Sequence, residues 1–282
     1  MKLSYITRTR WNESRLPFLA DGEASLSTQA YCGDSEWLIV SEYPPVSGVL
    51  HNLISTIHLT RPGITVHTRK FNPAIRIARG EFIAFMDDDN RKKEGFAEKM
   101  VDFIERNDLD GAFCQARCID GQGVDTGGHL VSTVNFDQAW HSGFYFTDEL
   151  VVRKTVLCEI GMFDDELKAS EDWDLALRLL KHGRIGLVQE PLVDLRQGHD
   201  DQVSSPACNP NVVGLAQAAL HRILEKHGRL NATCPHCGEA FNDMSYEETH
   251  IQWTFPMDTY QRIHYNGETT PDAEGKMWVR NA

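Results

Sequence analysis

The sequence predicts a doubly wound α/β domain followed by a small C-terminal appendage. Short apolar runs alternate with helical patterns through the first 90 residues, an order typical of a sheet with helices on both faces. The run from Phe82 to Met86 is apolar at consecutive positions, as expected for a strand that is covered on both sides. We place the main domain at 1–205 and the appendage at 206–282, whose last 50 residues are polar and weakly periodic.

Local patterns predict each element in turn. Strands are expected at 3–7, 35–40, 64–68, 82–86, 112–118, 143–152 and 185–193. Helices are expected at 50–59, 95–106, 170–182 and 212–226, where apolar residues recur at helical spacing. We expect Ser170 to N-cap the third helix, which has an acidic first turn.

Composition and charge limit the class of function. The 282 residues contain 28 Lys and Arg against 41 Asp and Glu, a formal charge of −13, which argues against a nucleic-acid binder because phosphate contacts need positive charge. No apolar run approaches the ~20 residues that span a bilayer, and no secretory leader is evident. The seven cysteines, an odd number, suit reduced thiols. We therefore expect an acidic, cytoplasmic protein.

Three consecutive carboxylates, Asp87, Asp88 and Asp89, directly follow the apolar strand and form what we call the acidic triplet. Carboxylates at this point can hold a hard divalent cation, and open α/β proteins bind ligands at the carboxyl edge of the sheet. An acidic turn that caps the next helix is the alternative. Neither a G-x-G-x-x-G after the first strand nor a P-loop is present, so the sequence does not support a nicotinamide dehydrogenase or a P-loop NTPase.

A second acidic pair, Glu171 and Asp172, lies at the predicted start of a helix. One of these carboxylates would suit a general base if it faces a pocket. Acidic residues that only stabilise the helix dipole are the alternative.

Both acidic motifs lie in segments that resemble family 2 glycosyltransferases of the GT-A fold, the nucleotide-diphospho-sugar transferases. Residues 78–90 read Ala-Arg-Gly-Glu-Phe-Ile-Ala-Phe-Met-Asp-Asp-Asp-Asn, similar to that family's A-x-G-E-[YF]-I-x-F-L-D-x-D-D. Residues 161–167 and 170–178 read Gly-Met-Phe-Asp-Asp-Glu-Leu and Ser-Glu-Asp-Trp-Asp-Leu-Ala-Leu-Arg, similar to G-x-F-D-E-x-L and E-D-W-D-L-x-L-R. The resemblance covers roughly residues 3–200.

This resemblance implies a metal-dependent, inverting transfer of a sugar from a nucleotide-sugar donor to an acceptor hydroxyl. It matches Asp87 and Asp89 to ligands of Mn²⁺ or Mg²⁺, and places Asp88 near the sugar or ribose. It matches Asp172 to the catalytic base. Glu171 is then expected to orient that base or to bind the acceptor.

The N-terminal half departs from the family pattern. Ile6 is followed by Thr7-Arg8-Thr9-Arg10 instead of P-T-[YF]-N, and the second strand ends in Ser41-Glu42 instead of an acidic pair. The family's A-R-N near the diphosphate reads Lys70-Phe71-Asn72, which leaves the arginine's charge to Arg69 or Lys70. The resemblance implies that the donor contacts Thr7, Glu42, Lys70 and Asn72, with UDP as the default nucleotide.

Three further features carry alternatives. His199 lies where some relatives place another metal or diphosphate ligand, although it also suits an ordinary surface histidine. Trp173 either stacks on an acceptor sugar or belongs to the core. Cys234 and Cys237, in Cys-Pro-His-Cys-Gly, have the form of one zinc knuckle. A structural Zn²⁺ would need two more ligands, and a reduced turn is the alternative.

The acceptor is open, with a glycan or polysaccharide hydroxyl as the first expectation. One alternative is a phage-type transferase that acts on hydroxymethylated DNA bases, although the charge of −13 argues against it. A catalytically silent glycan- or nucleotide-binding module is another, and the presence of Asp87, Asp89 and Asp172 argues against that. A nucleotidyltransferase would share the acidic site but would release pyrophosphate.

Overall fold

Parallel strand pairing builds the N-terminal half of the sheet. The computed structural model describes residues 1–198 and 212–228, apart from 47, 49, 52, 61, 63–70, 137–138 and 140–146. The first four strands are β1 (Leu3–Thr9), β2 (Ser35–Ser41), β3 (Ser55–Thr60) and β4 (Phe82–Phe85). They lie side by side in the order β3-β2-β1-β4, all parallel. Their carboxyl ends therefore meet at one edge of the sheet.

The C-terminal half of the sheet is mixed. Its strands are β5 (Arg91–Lys92), β6 (Gly111–Ile119), β7 (Asp125–Val131), β8 (Leu150–Arg153) and β9 (Ile185–Arg196). Strand β8 runs antiparallel between β4 and β6, while β9 runs parallel to β6 and antiparallel to β5. The described strands thus form a nine-stranded mixed sheet. Hydrophobic pattern reports which strand faces are buried but not the direction in which a strand runs.

Helices cover both faces of this sheet. They are α1 (Leu16–Ser27), α2 (Phe71–Ile77), α3 (Phe96–Arg106), α4 (Lys154–Glu159), α5 (Glu171–His182) and α6 (Val212–Lys226). Successive strand residues point to opposite faces, so Ile6 packs with α2, α4, α5 and α6 while Tyr5 packs with α1 and α3. The acidic triplet follows β4 between these two layers.

The helix predicted over 50–59 is wrong, because Ser55–Thr60 forms strand β3. Ile57 pairs with Leu38 of β2 in a parallel register. The β-branched side chains of Thr56, Ile57 and Thr60 suit this role, and the open edge of β2 satisfies the backbone groups of the segment. The predicted strand over 64–68 lies outside the described residues.

Helix α6 packs into the main core although the sequence assigned it to the appendage. Leu220, Ile223 and Leu224 are buried in the same cluster as Trp173 of α5. The side chain of Lys226 also lies 3.0 Å from the buried carboxylate of Asp174. The proposed boundary near Ser205 falls outside the described residues, so the division into 1–205 and 206–282 stays a prediction, but α6 itself is part of the core.

None of the helices in the described part of the chain is both long enough and apolar enough to span a membrane.

Candidate active site

The acidic triplet begins where β4 ends at the carboxyl edge of the parallel strands. The backbone amide of Met86 still donates to Ile6 O of β1 at 3.0 Å, and the chain then turns away. The side chain of Asp87 is 31% exposed, while those of Asp88 and Asp89 are 12% and 14% exposed. Asp87 is therefore the most accessible carboxylate of the three.

Arg8 links the two acidic motifs. It follows Thr7 on β1, and its Nε donates to Asp87 Oδ1 at 3.3 Å while its Nη1 donates to Glu171 Oε1. Its guanidinium carbon also lies 4.7 Å from the centre of the Phe71 ring. One guanidinium thus spans the acidic triplet and the start of α5, which the sequence separates widely.

Arg15 holds the other two carboxylates of the triplet. It ends a short 3₁₀ helix, Glu13–Arg15, that leads into α1. Its Nη1 lies 3.0 Å from Asp88 Oδ1 and 2.5 Å from Asp89 Oδ2. The Arg15 side chain is only 6% exposed, so this contact is an internal one.

The start of α5 presents the predicted base. Ser170 occupies the N-cap position as expected, but its backbone is left-handed (φ 57°) and its side chain makes no capping hydrogen bond. Glu171 is buried and Asp172 is partly buried, and Asp172 Oδ1 accepts a hydrogen bond from the amide of Trp173 at 2.8 Å. A non-glycine residue in this conformation stores strain, here two residues before the predicted base Asp172.

A buried layer beneath the triplet was missed by the sequence reasoning. Asp148 Oδ1 accepts the backbone amide of Asp87 at 2.9 Å, and the ammonium of Lys92 donates to the Asp148 carbonyl. The neighbouring Glu149 accepts a hydrogen bond from the Ser132 hydroxyl. Asp148 Oδ2 and Glu149 Oε1 are buried and without a hydrogen-bond partner among the described residues.

Strand β9 fixes the triplet from the other side. Arg196, the last residue of β9, donates from Nε to the carbonyl oxygen of Asp89 at 2.8 Å, and its backbone amide donates to Asn90 Oδ1 at 2.8 Å. Its guanidinium also pairs with Asp21 of α1 at 2.7 Å. The backbone of the triplet is thus held by Asp148, just before β8, and by Arg196 of β9.

Burial raises the pKa values of four of these carboxylates to near neutrality. It is the main cause that raises the pKa of Asp172 to about 8, followed by the charge of Glu171. Burial likewise raises the pKa of Asp88 to about 7, of Asp148 to about 7 and of Glu149 to about 8. Perturbed groups of this kind concentrate at functional sites.

Negative charge exceeds positive charge at this edge of the sheet. The acidic cluster consists of seven carboxylates, namely Asp87, Asp88, Asp89, Asp148, Glu149, Glu171 and Asp172. The cations that face them in the described residues are Arg8, Arg15 and Lys92. If all were ionised, the site would carry a net charge of −4.

This donor set fits a hard divalent cation in chemistry and in charge. Such ions take carboxylate oxygens and retain positions for phosphate and water. Two buried carboxylate oxygens beneath the triplet are also unpaired among the described residues. Among the described residues, no group of three or more Asp, Glu, His or Cys side chains is arranged so that it could hold a metal ion by itself. Asp87 and Asp89 would therefore hold only part of the coordination sphere.

Two predicted donor-contact residues have side-chain partners inside the protein. Thr7 is fully buried and accepts the indole N–H of Trp37 at 2.8 Å. Asn72 donates to Phe163 O at 2.9 Å and to Asp165 at 2.8 Å. Both side chains are engaged inside the protein, and the expected donor contacts of Thr7 and Asn72 stay a prediction.

Trp173 belongs to the core. It is fully buried, and its indole N–H donates to Ala139 O at 2.8 Å. The acceptor-stacking role is thus contradicted, and the core alternative is correct. Glu42 lies at the carboxyl end of β2, partly buried, and its donor role stays a prediction.

The remaining predicted residues lie outside the described part of the chain. They are Lys70, His199, Cys234 and Cys237.

Comparison with known proteins agrees with the sequence motifs. The model of the family described as Glycosyl transferase family 2 matches residues 52–163. No curated protein sequence matches the chain.

Solved structures with this fold include two glycosyltransferases bound to donors. The crystal structure of S. aureus TarS 1–349 in complex with UDP-GlcNAc has a TM-score of 0.59 at 17% identity, over 94% of this chain and 73% of that one. The mannosyltransferase PcManGT from Pyrobaculum calidifontis, in complex with GDP-Man and Mn²⁺, has a TM-score of 0.57 at 13% identity, over 97% and 77%.

A longer S. aureus TarS structure, at 17% identity and a TM-score of 0.55, aligns with 82% of this chain, which spans only 45% of its length. At these identities the likeness establishes the fold, while the matched family model covers the acidic triplet. The similarity to glycosyl transferase family 2 extends over residues 52–163, and the chain has the GT-A fold that its motifs predict.

Proposed function

We propose that this chain transfers a sugar from a nucleotide-sugar donor to an acceptor hydroxyl with inversion at the anomeric carbon. The observation that carries the proposal is the bridge from Arg8 to both Asp87 and Glu171. It brings the acidic triplet, which is suited to a donor-bound cation, and the start of α5, which carries Asp172, into one site.

Asp172 is the base in this proposal. Its carboxylate takes the proton of the acceptor hydroxyl while that oxygen attacks the anomeric carbon and the bond to the diphosphate breaks. A base with a pKa of about 8 is matched to this task near neutral pH. Glu171, adjacent in sequence and paired with Arg8, orients the base.

Asp87 and Asp89 would hold the divalent cation, Mn²⁺ or Mg²⁺. When bound, the cation would neutralise the charge that develops on the departing diphosphate. The Mn²⁺ present with GDP-Man in the P. calidifontis mannosyltransferase supports this assignment. UDP stays the first choice of nucleotide, in keeping with the UDP-GlcNAc complex of S. aureus TarS, and GDP is the second.

Release of nucleoside diphosphate from a panel of UDP- and GDP-sugars tests the proposal. We expect slow hydrolysis of one donor with Mn²⁺, its loss with chelator, and its loss in Asp89→Ala. Asp102→Ala is a matched control because Asp102 lies on α3, where it contacts Arg106 and Tyr31 rather than the acidic cluster, and it should behave as the unaltered protein. Release of pyrophosphate instead, or donor turnover that survives Asp89→Ala, would contradict the proposal.

A further inference from the structure

Arg8 differs from the other cations of the acidic cluster in its exposure. Its side chain is 19% exposed, against 6% for Arg15, and Lys92 is 2% exposed. Arg15 is held by Asp88 and Asp89, and Lys92 by the Asp148 carbonyl. Arg8 is therefore the cation of this cluster that a ligand in the cleft can reach.

A diphosphate that enters this site needs such a cation. Its phosphate oxygens would approach carboxylates that already outnumber the facing cations in the described residues. A single divalent ion offsets only part of this repulsion, because the diphosphate adds further negative charge. A guanidinium can offset the remaining repulsion, since its planar donors match two phosphate oxygens at once.

The position of Arg8 also suits the role. Stacking on the Phe71 ring fixes the plane of the guanidinium without using its N–H donors. Nε donates to Asp87 and Nη1 donates to Glu171. The guanidinium is thus oriented in advance.

Phe71 adds a sequence argument. The A-R-N pattern of the resembling family has its arginine at the position of Phe71. In this chain the Arg8 guanidinium lies 4.7 Å from the centre of that phenyl ring. A cation delivered from β1 therefore lies close to the place where the pattern has one on α2.

We propose that Arg8 binds the diphosphate of the donor, exchanging Asp87 and Glu171 for phosphate oxygens when the donor arrives. In the absence of donor, the two carboxylates hold the guanidinium in place and limit the cluster's excess charge. This inference rests on the proposed function, because it assumes a nucleoside diphosphate ligand. It adds a donor-binding residue that neither acidic motif contains.

Binding measured without metal isolates the contribution of Arg8. We would titrate UDP and GDP, and separately uridine and guanosine, in the presence of chelator by calorimetry or competition. Arg8→Met should weaken the nucleoside diphosphate that binds by about 10- to 100-fold, as expected for loss of charge-assisted hydrogen bonds. Nucleoside affinity should change less than about twofold. The nucleoside diphosphate affinity of Arg8→Lys should lie between those of Arg8→Met and the unaltered protein.

Arg10→Met is the matched control, since Arg10 is exposed just beyond the end of β1. It should bind both ligand classes as the unaltered protein does. Because Arg8→Met leaves Asp87 and Glu171 without their partner, the double variant Arg8→Met/Glu171→Gln removes one negative charge and keeps the comparison possible if the single variant folds poorly.

The outcomes distinguish a failure of the role of Arg8 from a failure of the proposed function. If the unaltered protein binds UDP or GDP and Arg8→Met binds it equally well, Arg8 is not a diphosphate ligand, and the proposed function stands. An equal loss of nucleoside and nucleoside diphosphate affinity would mean that Arg8 only shapes the site, which also overturns the inference. If the unaltered protein binds neither diphosphate with chelator, the inference fails, and if it binds neither with Mn²⁺ as well, the donor site of the proposed function fails too.

Discussion

The backbone amide of Asp87 donates a hydrogen bond of 2.9 Å to the Oδ1 atom of Asp148. The first carboxylate of the acidic triplet thus owes its backbone position to a residue just before β8, 61 positions away. A buried acceptor of this kind can orient a metal-ligating residue without contacting the metal ion itself.

Removal of this acceptor should weaken metal-dependent turnover. We expect Asp148→Ala to lower donor hydrolysis by about 10- to 100-fold, the usual cost of losing a supporting partner of a metal ligand. Asp148→Asn should keep most of the activity, because its amide oxygen can still accept the Asp87 N–H. Mn²⁺ titrations of both variants check this, and equal losses in the two would show that the hydrogen bond is not what matters.

Substitution of the predicted base should separate chemistry from binding. Asp172→Asn keeps the size of the side chain but cannot accept a proton, so turnover should fall by about 10²- to 10⁴-fold. Nucleoside diphosphate affinity should stay within about twofold. Glu171→Gln should have a smaller effect on turnover if it only orients the base. Full turnover in Asp172→Asn would reject the assignment.

The raised pKa of Asp172, about 8, predicts the direction of the pH dependence of turnover. A base acts when deprotonated, so the rate should increase about tenfold per pH unit below pH 8 and level off above it. Single-turnover rates between pH 6 and 9.5 test this. A rate that is flat over the whole range would contradict it.

The raised pKa of Asp172 also predicts how the free energy of unfolding varies with pH. The pKa of Asp172 is about 8 in the folded protein, whereas the ordinary aspartate pKa in an unfolded chain is 3.8. The folded state therefore binds more protons between these values, and this contribution to stability is lost as the pH rises. Urea unfolding at pH 5 and pH 8 should show a larger decline for the unaltered protein than for Asp172→Asn.

Helix α6 should be required for a stable core. Ile223→Ala would remove a fully buried side chain and should lower the free energy of unfolding by about 2–5 kcal/mol. Glu225→Ala, on the exposed side of the same helix, should change it by less than about 0.5 kcal/mol. A fragment ending at Ser205 should fail to fold cooperatively. A stable, cooperative fragment would support the domain boundary that the sequence suggests.

Local pattern was sufficient where a segment's structure follows from its own residues. Strand β4, helices α3 and α5, and the two acidic motifs could be predicted, because apolar periodicity and the residues next to it are contained in the sequence. The predicted helix over 50–59 failed because the edge of β2, distant in the chain, decides the structure of Ser55–Thr60.

Residues that act by contact across the fold could not be predicted in the same way. Arg8 had one signal, a charged residue in place of the family pattern at the end of a buried strand. Asp148 had none, because its partner is a backbone amide 61 positions away. Trp173 shows the opposite case, since its motif suggested a ligand contact and the packing of α5 buried it completely.

The sequence by itself determined the fold class, the carboxylates of the two acidic motifs and the family motifs, because these depend on residue type and spacing along the chain. Only the tertiary structure decided that Arg8 joins Asp87 to Glu171, that Arg15 pairs with Asp88 and Asp89, and that α6 belongs to the core. Hydrogen bonds and ion pairs act over a few ångströms in space, and the distance between two residues in space is set by how the strands and helices pack.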